Sequence, residues 1–427
     1  MRKRLWERFA LHKHQTTWKQ EILAGLTSFF TVAYIIVINA AILADAGIPM
    51  QAGIIATALT AFVGCMLMGW WANAPIVLVP GMGVNAFFSY TVVQSMHLTW
   101  QEALTVVFLS GLLFTVVSFS PLVDWLSQAV PSSLNAGISV GIGLFLTLIG
   151  LQKGGIVTAN DYSMIAMGSL AEPRVIVTLI TLLLIVILMI RGVRGNFLIG
   201  ILSGSALAAG WGLIERSGGT EVALQTYWKV AGSLTTEGWD RLPFWIATFS
   251  LTLIIVFENM GLLHSMLPRK EQFGRSFQAN AVSAMTAGLL GTSSTVSTVE
   301  SAAGIAAGGR TGITAITAGV LFLVSLLFLP WMKLIPPSAV APVLIVLGGL
   351  MLGNVRRIPW DDMSEWFPAY LIVAAIPLTY SIADGMAFGF IAYPVLKAAK
   401  GQAKSVPIPL YLIAGLFLLS FLLRIWE

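Results

Sequence analysis

The chain has 427 residues, of which 57% are hydrophobic and 10% charged, with a formal net charge of +5. Soluble globular chains carry about 25% charged residues, so the composition excludes an ordinary soluble enzyme or a nucleic-acid-binding protein and points to a polytopic membrane protein. Its one cysteine, Cys65, lies in an apolar run. That excludes an internal disulfide and a thiolate metal cluster, and leaves a small buried packing residue.

In chain order, residues 1–21 form a basic amphipathic segment, MRKRLWERFALHKHQTTWKQE. It has no small-residue cleavage site, and the apolar run behind it is too long for a signal-peptide core. It reads as a cytoplasmic tail lying along anionic lipid. Apolar runs follow at 22–44, 51–71, 79–96, 103–124, 133–150, 173–191, 195–215, 243–263, 277–290, 292–308, 312–333, 338–352, 367–382, 384–399 and 405–425. Runs of about 20 apolar residues match a bilayer core of roughly 30 Å. With the N-terminus inside, the tail's cations, Arg191, Arg194, Arg269, Lys270, Arg275, Arg310, Arg356, Arg357, Lys397, Lys400 and Lys404 all fall on the cytoplasmic side. This is the bias that sets orientation, and it explains the net positive charge without nucleic acid. The longest polar connection, 216–242, then lies outside and reads as a solvated loop. The run 405–425 reads either as an extra span or as an interfacial helix outside the transport core.

The halves echo each other. PSSLNAGISVGIGLFLTLIG (131–150) is similar to PPSAVAPVLIVLGGLMLGNV (336–355). An odd number of spans separates the two, so the copies run in opposite directions. Inverted repeats of this kind are typical of secondary transporters with a mid-membrane site.

Two spans depart from ordinary helices. LVPGMGVNAFFSY (78–90) carries Pro80, Gly81 and Gly83, which are poor in helix interiors. GTSSTVSTVESAAGIAAGG (291–309) begins with β-branched hydroxyl residues suited to a strand, and ends with small residues suited to a close-packed helix. Each predicts a short strand running into a half-helix. Such backbone is tolerated at membrane depth only inside protein or along a cavity.

Two acids stand at that depth: Glu258 in LTLIIVFENMGLL, and Glu300 where the second strand meets its half-helix. A charge there costs several kcal/mol, roughly 2.5 or more, unless it faces a cavity or a partner. Glu300 also reads as a local cap of the half-helix. Asp384 reads as a span-junction residue and Asp45 as part of a turn. No basic residue lies in the span interiors to pair with the acids. A carboxylate without counter-charge in a low-dielectric medium favours its neutral form, which suits a proton carrier. It also suits a neutral ligand with paired N–H donors. Guanine offers such a pair and hypoxanthine one N–H, whereas adenine places an acceptor beside its amino group. Tyr34, Phe87, Phe88 and Phe257 are candidate stacking rings, and Asn39, Asn85, Ser297 and Thr298 candidate polar lining.

The strings GLTSFFTVAYIIVIN, PGMGVNAFFSY, ESAAGIAAGGRTG and PLTYSIADGMAFGF resemble the azaguanine-resistance-type purine permeases, within the fold group of uracil and xanthine permeases. The resemblance spans residues 20–400. It implies fourteen spans in two inverted repeats of seven. A core domain (22–124 and 243–335) would carry substrate past a gate domain (125–215 and 336–400), with 401–427 as an appended apolar segment. It implies cation-coupled uptake of guanine, hypoxanthine or adenine, usually with protons, and no cofactor. It places Glu258 as the acid that holds the base, Glu300 as the acid beside it, and Asn85 and Phe87 on the break in the third span. The glutamate in Phe257-Glu258-Asn259 replaces the aspartate of many members and resembles the guanine/hypoxanthine branch. An anion exchanger on a related fold is the alternative, but it calls for an intramembrane Lys or Arg. An enzyme has no HExxH motif and no nucleophile beside a base in its favour. The many small-residue faces permit a homodimer.

Overall fold

Within hydrocarbon each backbone N–H and C=O has to be satisfied by the chain itself, so long apolar runs fold as helices. The computed structural model describes residues 9–123, 130–160, 164–214, 223–332 and 334–424. The first half begins with α1 (Trp18–Val32), α2 (Ile35–Asp45) and α3 (Met50–Leu67). Strand β1 (Leu78–Pro80) then leads into α4 (Met82–Ala86), whose helix widens to π geometry over Phe87–Ser95. After these come α5 (Trp100–Ser118), α6 (Ser132–Lys153), strands β2 (Val157–Asn160) and β3 (Met164–Met167), α7 (Pro173–Ile190) and α8 (Asn196–Gly210). The second half holds α9 (Ala223–Trp228), α10 (Leu242–Met266), α11 (Phe273–Leu289), strand β4 (Thr295–Ser297), α12 (Ser301–Ala306), α13 (Gly312–Ser325) and α14 (Leu329–Met332). It ends with α15 (Pro337–Met351), α16 (Met363–Thr379), α17 (Ile382–Ala399) and α18 (Ile408–Arg424). Among the described residues nine helical stretches are long and apolar enough to cross a membrane, and α8, α16 and most of α18 are shorter apolar helices. The chain is a mostly helical, multi-pass membrane protein.

Helix starts follow local chemistry. Thr99 and Glu102 form a reciprocal capping box on α5, and the side chains of Thr17, Asp362 and Ser381 cap α1, α16 and α17. Such caps satisfy amides that have no partner within the helix.

Helices α6 and α15, which carry the echoed segments, pack against each other. They touch at Gly143 and Gly348, which are equivalent positions in that alignment. A Cβ on Gly143 would lie 2.8 Å from the Gly348 carbonyl oxygen, and one on Gly348 would fall against Thr147 and the Gly143 carbonyl. Only glycine lets the backbones approach this closely. Gly348→Val is therefore expected to lower the unfolding temperature in detergent, at a cost of about 3 kcal/mol. Wild-type melting in that variant would show that the helices can part without loss.

Two expectations need correction, and one element was not anticipated. The connection 216–242 is only partly a solvated loop over its described part. Tyr227 packs with Ile55 and Ala56, and Thr105 and Thr235 exchange hydrogen bonds of 2.8 and 3.0 Å. Leu224, Trp228 and Trp239 stay exposed beside these contacts; residues 215–222 lie outside the described residues. The tail does not simply lie along lipid. Phe9 and Leu11 are buried against Ile313, with Trp18 packed beside them, while residues 1–8 lie outside the described set. The exposed antiparallel β2–β3 hairpin, with Val157 opposite Met167, was not anticipated. Helix α18 packs against α17 and α10, with Phe417 edge-on to Phe249, 5.6 Å between ring centres.

Candidate substrate-binding site

Pro80 and Gly81 stop helix formation in the third apolar run, and Thr295–Ser297 do so in the tenth. The two resulting strands find each other. β1 and β4 pair antiparallel, with Leu78 opposite Ser297, Val79 opposite Val296 and Pro80 opposite Thr295, and all six residues are buried. The pairing satisfies backbone that would otherwise be orphaned at membrane depth. Gly81 is required for the approach, since a Cβ there would lie 2.5 Å from the Val296 side chain. Its N–H also donates to the Ser294 carbonyl at 3.3 Å.

Helix α10 packs on β4 and α4 and carries Glu258 near its middle. Asn259 fixes the register. Its Oδ1 accepts from the Ser297 backbone N–H at 2.8 Å and from Asn280 Nδ2 at 2.5 Å, and its own Nδ2 donates to the Ile255 carbonyl at 2.7 Å. Asn280 on α11 also donates to Ser297 Oγ at 3.0 Å. Glu258 is thus held beside β4 by its neighbour's bonds. It is partly exposed, and among the described residues it makes no hydrogen bond or ion pair.

Glu300 sits between β4 and α12 at the helix-capping position, but its side chain makes no cap hydrogen bond. Instead Oε1 accepts from the Tyr34 hydroxyl at 2.5 Å. Tyr34 lies between α1 and α2 and packs edge-on against Phe197 of α8, 4.8 Å between ring centres. Among the described residues neither acid has an ion-pair partner.

The remaining predicted lining residues differ in what they can reach. Thr298 is partly exposed, 3.4 Å from Ser301 Oγ. Asn39, Asn85, Phe87 and Ser297 are fully enclosed. Asn39 donates to Thr57 at 2.7 Å and Thr292 at 2.9 Å, and Asn85 accepts from the Ser293 hydroxyl. The enclosed groups therefore frame the strands, while Glu258, Glu300 and Thr298 keep accessible surface. Asn280 was not singled out from the sequence; its polarity inside an apolar helix was the available signal. Asp384 lies in the first turn of α17, where Ser381 Oγ accepts from its backbone N–H at 3.2 Å.

The model of the Permease family matches residues 19–388, which contain both strands and both acids. The chain belongs to the nucleobase permease family. It is 50% identical over 382 residues to the Nucleobase transporter PlAzg2 of Paenibacillus larvae, covering 88% of this chain and 77% of that protein. To the Guanine/hypoxanthine permease PbuO of Bacillus subtilis it is 37% identical, over 96% of this chain and 99% of that one. The Adenine permease AdeP of Escherichia coli is 33% identical over 96% of this chain and 94% of its own length. The transmembrane domain of the cyanobacterial bicarbonate transporter BicA shares the fold, with a TM-score of 0.66 at 15% identity over 86% of this chain and 96% of that chain. As a nucleobase permease the protein is a transporter and not an enzyme.

Proposed function

We propose that this permease takes up purine nucleobases across the cytoplasmic membrane with protons, guanine and hypoxanthine ahead of adenine. One observation carries the reading. Glu258 is held beside the paired strands, partly exposed and without a hydrogen-bond or ion-pair partner among the described residues. A carboxylate in that setting is matched by a neutral base with N–H donors, or by a proton. Thr298 and Glu300, which follow β4 in the chain, also keep accessible surface. Uptake of labelled guanine in the presence of guanine, hypoxanthine, adenine, xanthine and uracil, across external pH, tests this. Adenine as the strongest competitor would favour the branch named for adenine, and uptake indifferent to external pH would remove the proton.

The architecture supports alternating access by fourteen spans in two inverted repeats, with the N-terminus inside. In its favour, equivalent glycines of α6 and α15 meet, and β1 and β4 pair antiparallel at matching positions. An anion exchanger on the same fold is disfavoured, because two carboxylates without counter-charge would repel its substrate.

In this reading the ends of α2 and α6 lie on the outer side, one in the core domain and one in the gate. Lys153 of α6 is 2.6 Å from Asp45 Oδ2, and the Tyr90 hydroxyl donates to the same oxygen at 2.6 Å. Close by, the Thr91 hydroxyl accepts from the Ile382 N–H of α17 at 3.0 Å. The Lys153–Asp45 pair and the Thr91–Ile382 bond would then link core to gate on the outer side. Asp45, read from sequence as a turn residue, is half of that tie. Lys153→Asp is expected to lower guanine uptake roughly fivefold, since a partly exposed pair is worth about 1 kcal/mol. Reversing both charges, Asp45→Lys with Lys153→Asp, should restore most of it. Equal uptake in all three proteins would mean the pair does not govern opening.

A further inference from the structure

We propose that Tyr34 is a positioning residue that holds Glu300 as a hydrogen-bond acceptor, and that it thereby ranks oxopurines above adenine. The inference deepens the transport reading above and rests on it.

Tyr34 is almost fully buried, and its hydroxyl is 2.5 Å from Glu300 Oε1. In this contact the hydroxyl is the donor and the carboxylate oxygen the acceptor. The phenol has one hydrogen to give, and it is given to Glu300. Within the described residues Oε2 has no protein donor, and Glu300 does not cap α12. One oxygen is thus engaged by the protein and the other remains to accept from a ligand. The aim of the hydroxyl is fixed twice. Helical backbone continues through Ala33 and Tyr34 and sets the direction of the side chain, and the Phe197 ring packs edge-on against the tyrosine ring.

The consequence is chemical. An acceptor at Oε2 is satisfied by N1–H of guanine or hypoxanthine. Adenine presents the lone pair of N1 there, so acceptor faces acceptor and both stay unpaired. A site built around a hydrogen bond rejects a ligand lacking the matching group more strongly than an apolar pocket rejects a shape variant. Removing the Tyr34 donor leaves Glu300 free to serve as acceptor or, when it carries a proton, as donor. The preference between the two classes of base should then shrink.

The test uses the full chain reconstituted in liposomes, with Tyr34→Phe, Tyr34→His, Glu300→Gln and the Tyr34→Phe/Glu300→Gln double variant. For each, KM and kcat for guanine and the inhibition constant of adenine are measured. In Tyr34→Phe the guanine KM should rise roughly tenfold with kcat within about twofold, the loss expected for one charge-assisted hydrogen bond. The guanine-to-adenine preference should narrow by a similar factor. Tyr34→His, which keeps a donor, should preserve more of the preference. The double variant should be no less selective than Glu300→Gln alone, because the hydroxyl acts through that carboxylate. A purely structural role would lower the amount of folded protein and leave the ranking of bases intact, and that result overturns the proposal. If Tyr34→Phe does not transport, guanine and adenine binding to the purified variant supplies the same ranking. Wild-type protein that accumulates no purine would instead defeat the transport reading, and this inference with it.

Discussion

Glu258→Gln is expected to lower guanine kcat/KM by roughly 100-fold while the variant folds and melts like wild type. Both halves follow from the geometry. The amide has nearly the volume of the carboxylate, and Glu258 makes no bond to the described protein, so the change orphans no protein group. The neighbouring ties, Asn259 Oδ1 to the Ser297 N–H and to Asn280, are untouched. A base N–H that donates to Glu258 loses its acceptor and can meet a donor in its place. Each charge-assisted hydrogen bond is worth about 1.5–3 kcal/mol, and tenfold corresponds to about 1.4 kcal/mol, so one loss plus one donor–donor clash reaches two orders of magnitude. The amide also cannot carry a proton, so accumulation driven by a pH gradient should disappear, even where exchange of internal for external base survives. Concentrative uptake at the wild-type level, with its pH response unchanged, would take Glu258 out of the site.

Much of this arrangement is legible along the chain. Pro80 and Gly81 announce the first strand, because neither residue sustains a helix interior, and the hydroxyl-rich, β-branched 292–298 announces the second. Glu258 and Glu300 stand out because an acid at bilayer depth needs a reason to be there. What the sequence hides is partnership over long separations. Asp45 looks like a turn residue until Lys153 is brought to it from 108 positions away. Asn39, Asn85 and Ser297 look like lining, yet Asn39 Nδ2, Asn85 Oδ1 and Ser297 Oγ are bonded to Thr57, Ser293 and Asn280. Composition alone cannot tell an amide that greets a ligand from one that binds another element of the protein. The part of 216–242 beyond residue 222 misleads in the opposite sense. Its charges suggest solvent, but Tyr227 and Val230 are buried. The β2–β3 hairpin leaves no periodic signal, since each strand is only four residues long.

Lys397→Met should destabilise the protein by about 3 kcal/mol. Lys397 is 6% exposed, and its Nζ lies 2.7 Å from Glu365 Oε1 and 3.7 Å from Asp362. Ser133 of α6 and Tyr393 of α17 also donate to Glu365, at 2.5 and 2.7 Å. The cluster fastens the ends of α6, α16 and α17 together, on the side opposite Asp45 and Lys153. Without the ammonium, Glu365 would be left partly buried with two neutral donors and no counter-charge. That loss is more costly than removing both charges together, so Glu365→Gln in the Lys397→Met background should recover most of the stability. Lys400 makes a useful contrast. It is 2.9 Å from Asp362 but half exposed, so Lys400→Ala should cost under about 1 kcal/mol. Lys400 first, and Ser364 after it, hold the Asp362 carboxyl well below the usual aspartate range. A depressed folded-state pKa adds stability that is present above the unfolded aspartate value of about 3.9 and fades only as pH falls through the folded one. Detergent melting of the four proteins at neutral pH separates the contributions. Equal losses for Lys397→Met and Lys400→Ala would show that burial of Lys397 does not decide the energetics of the cluster.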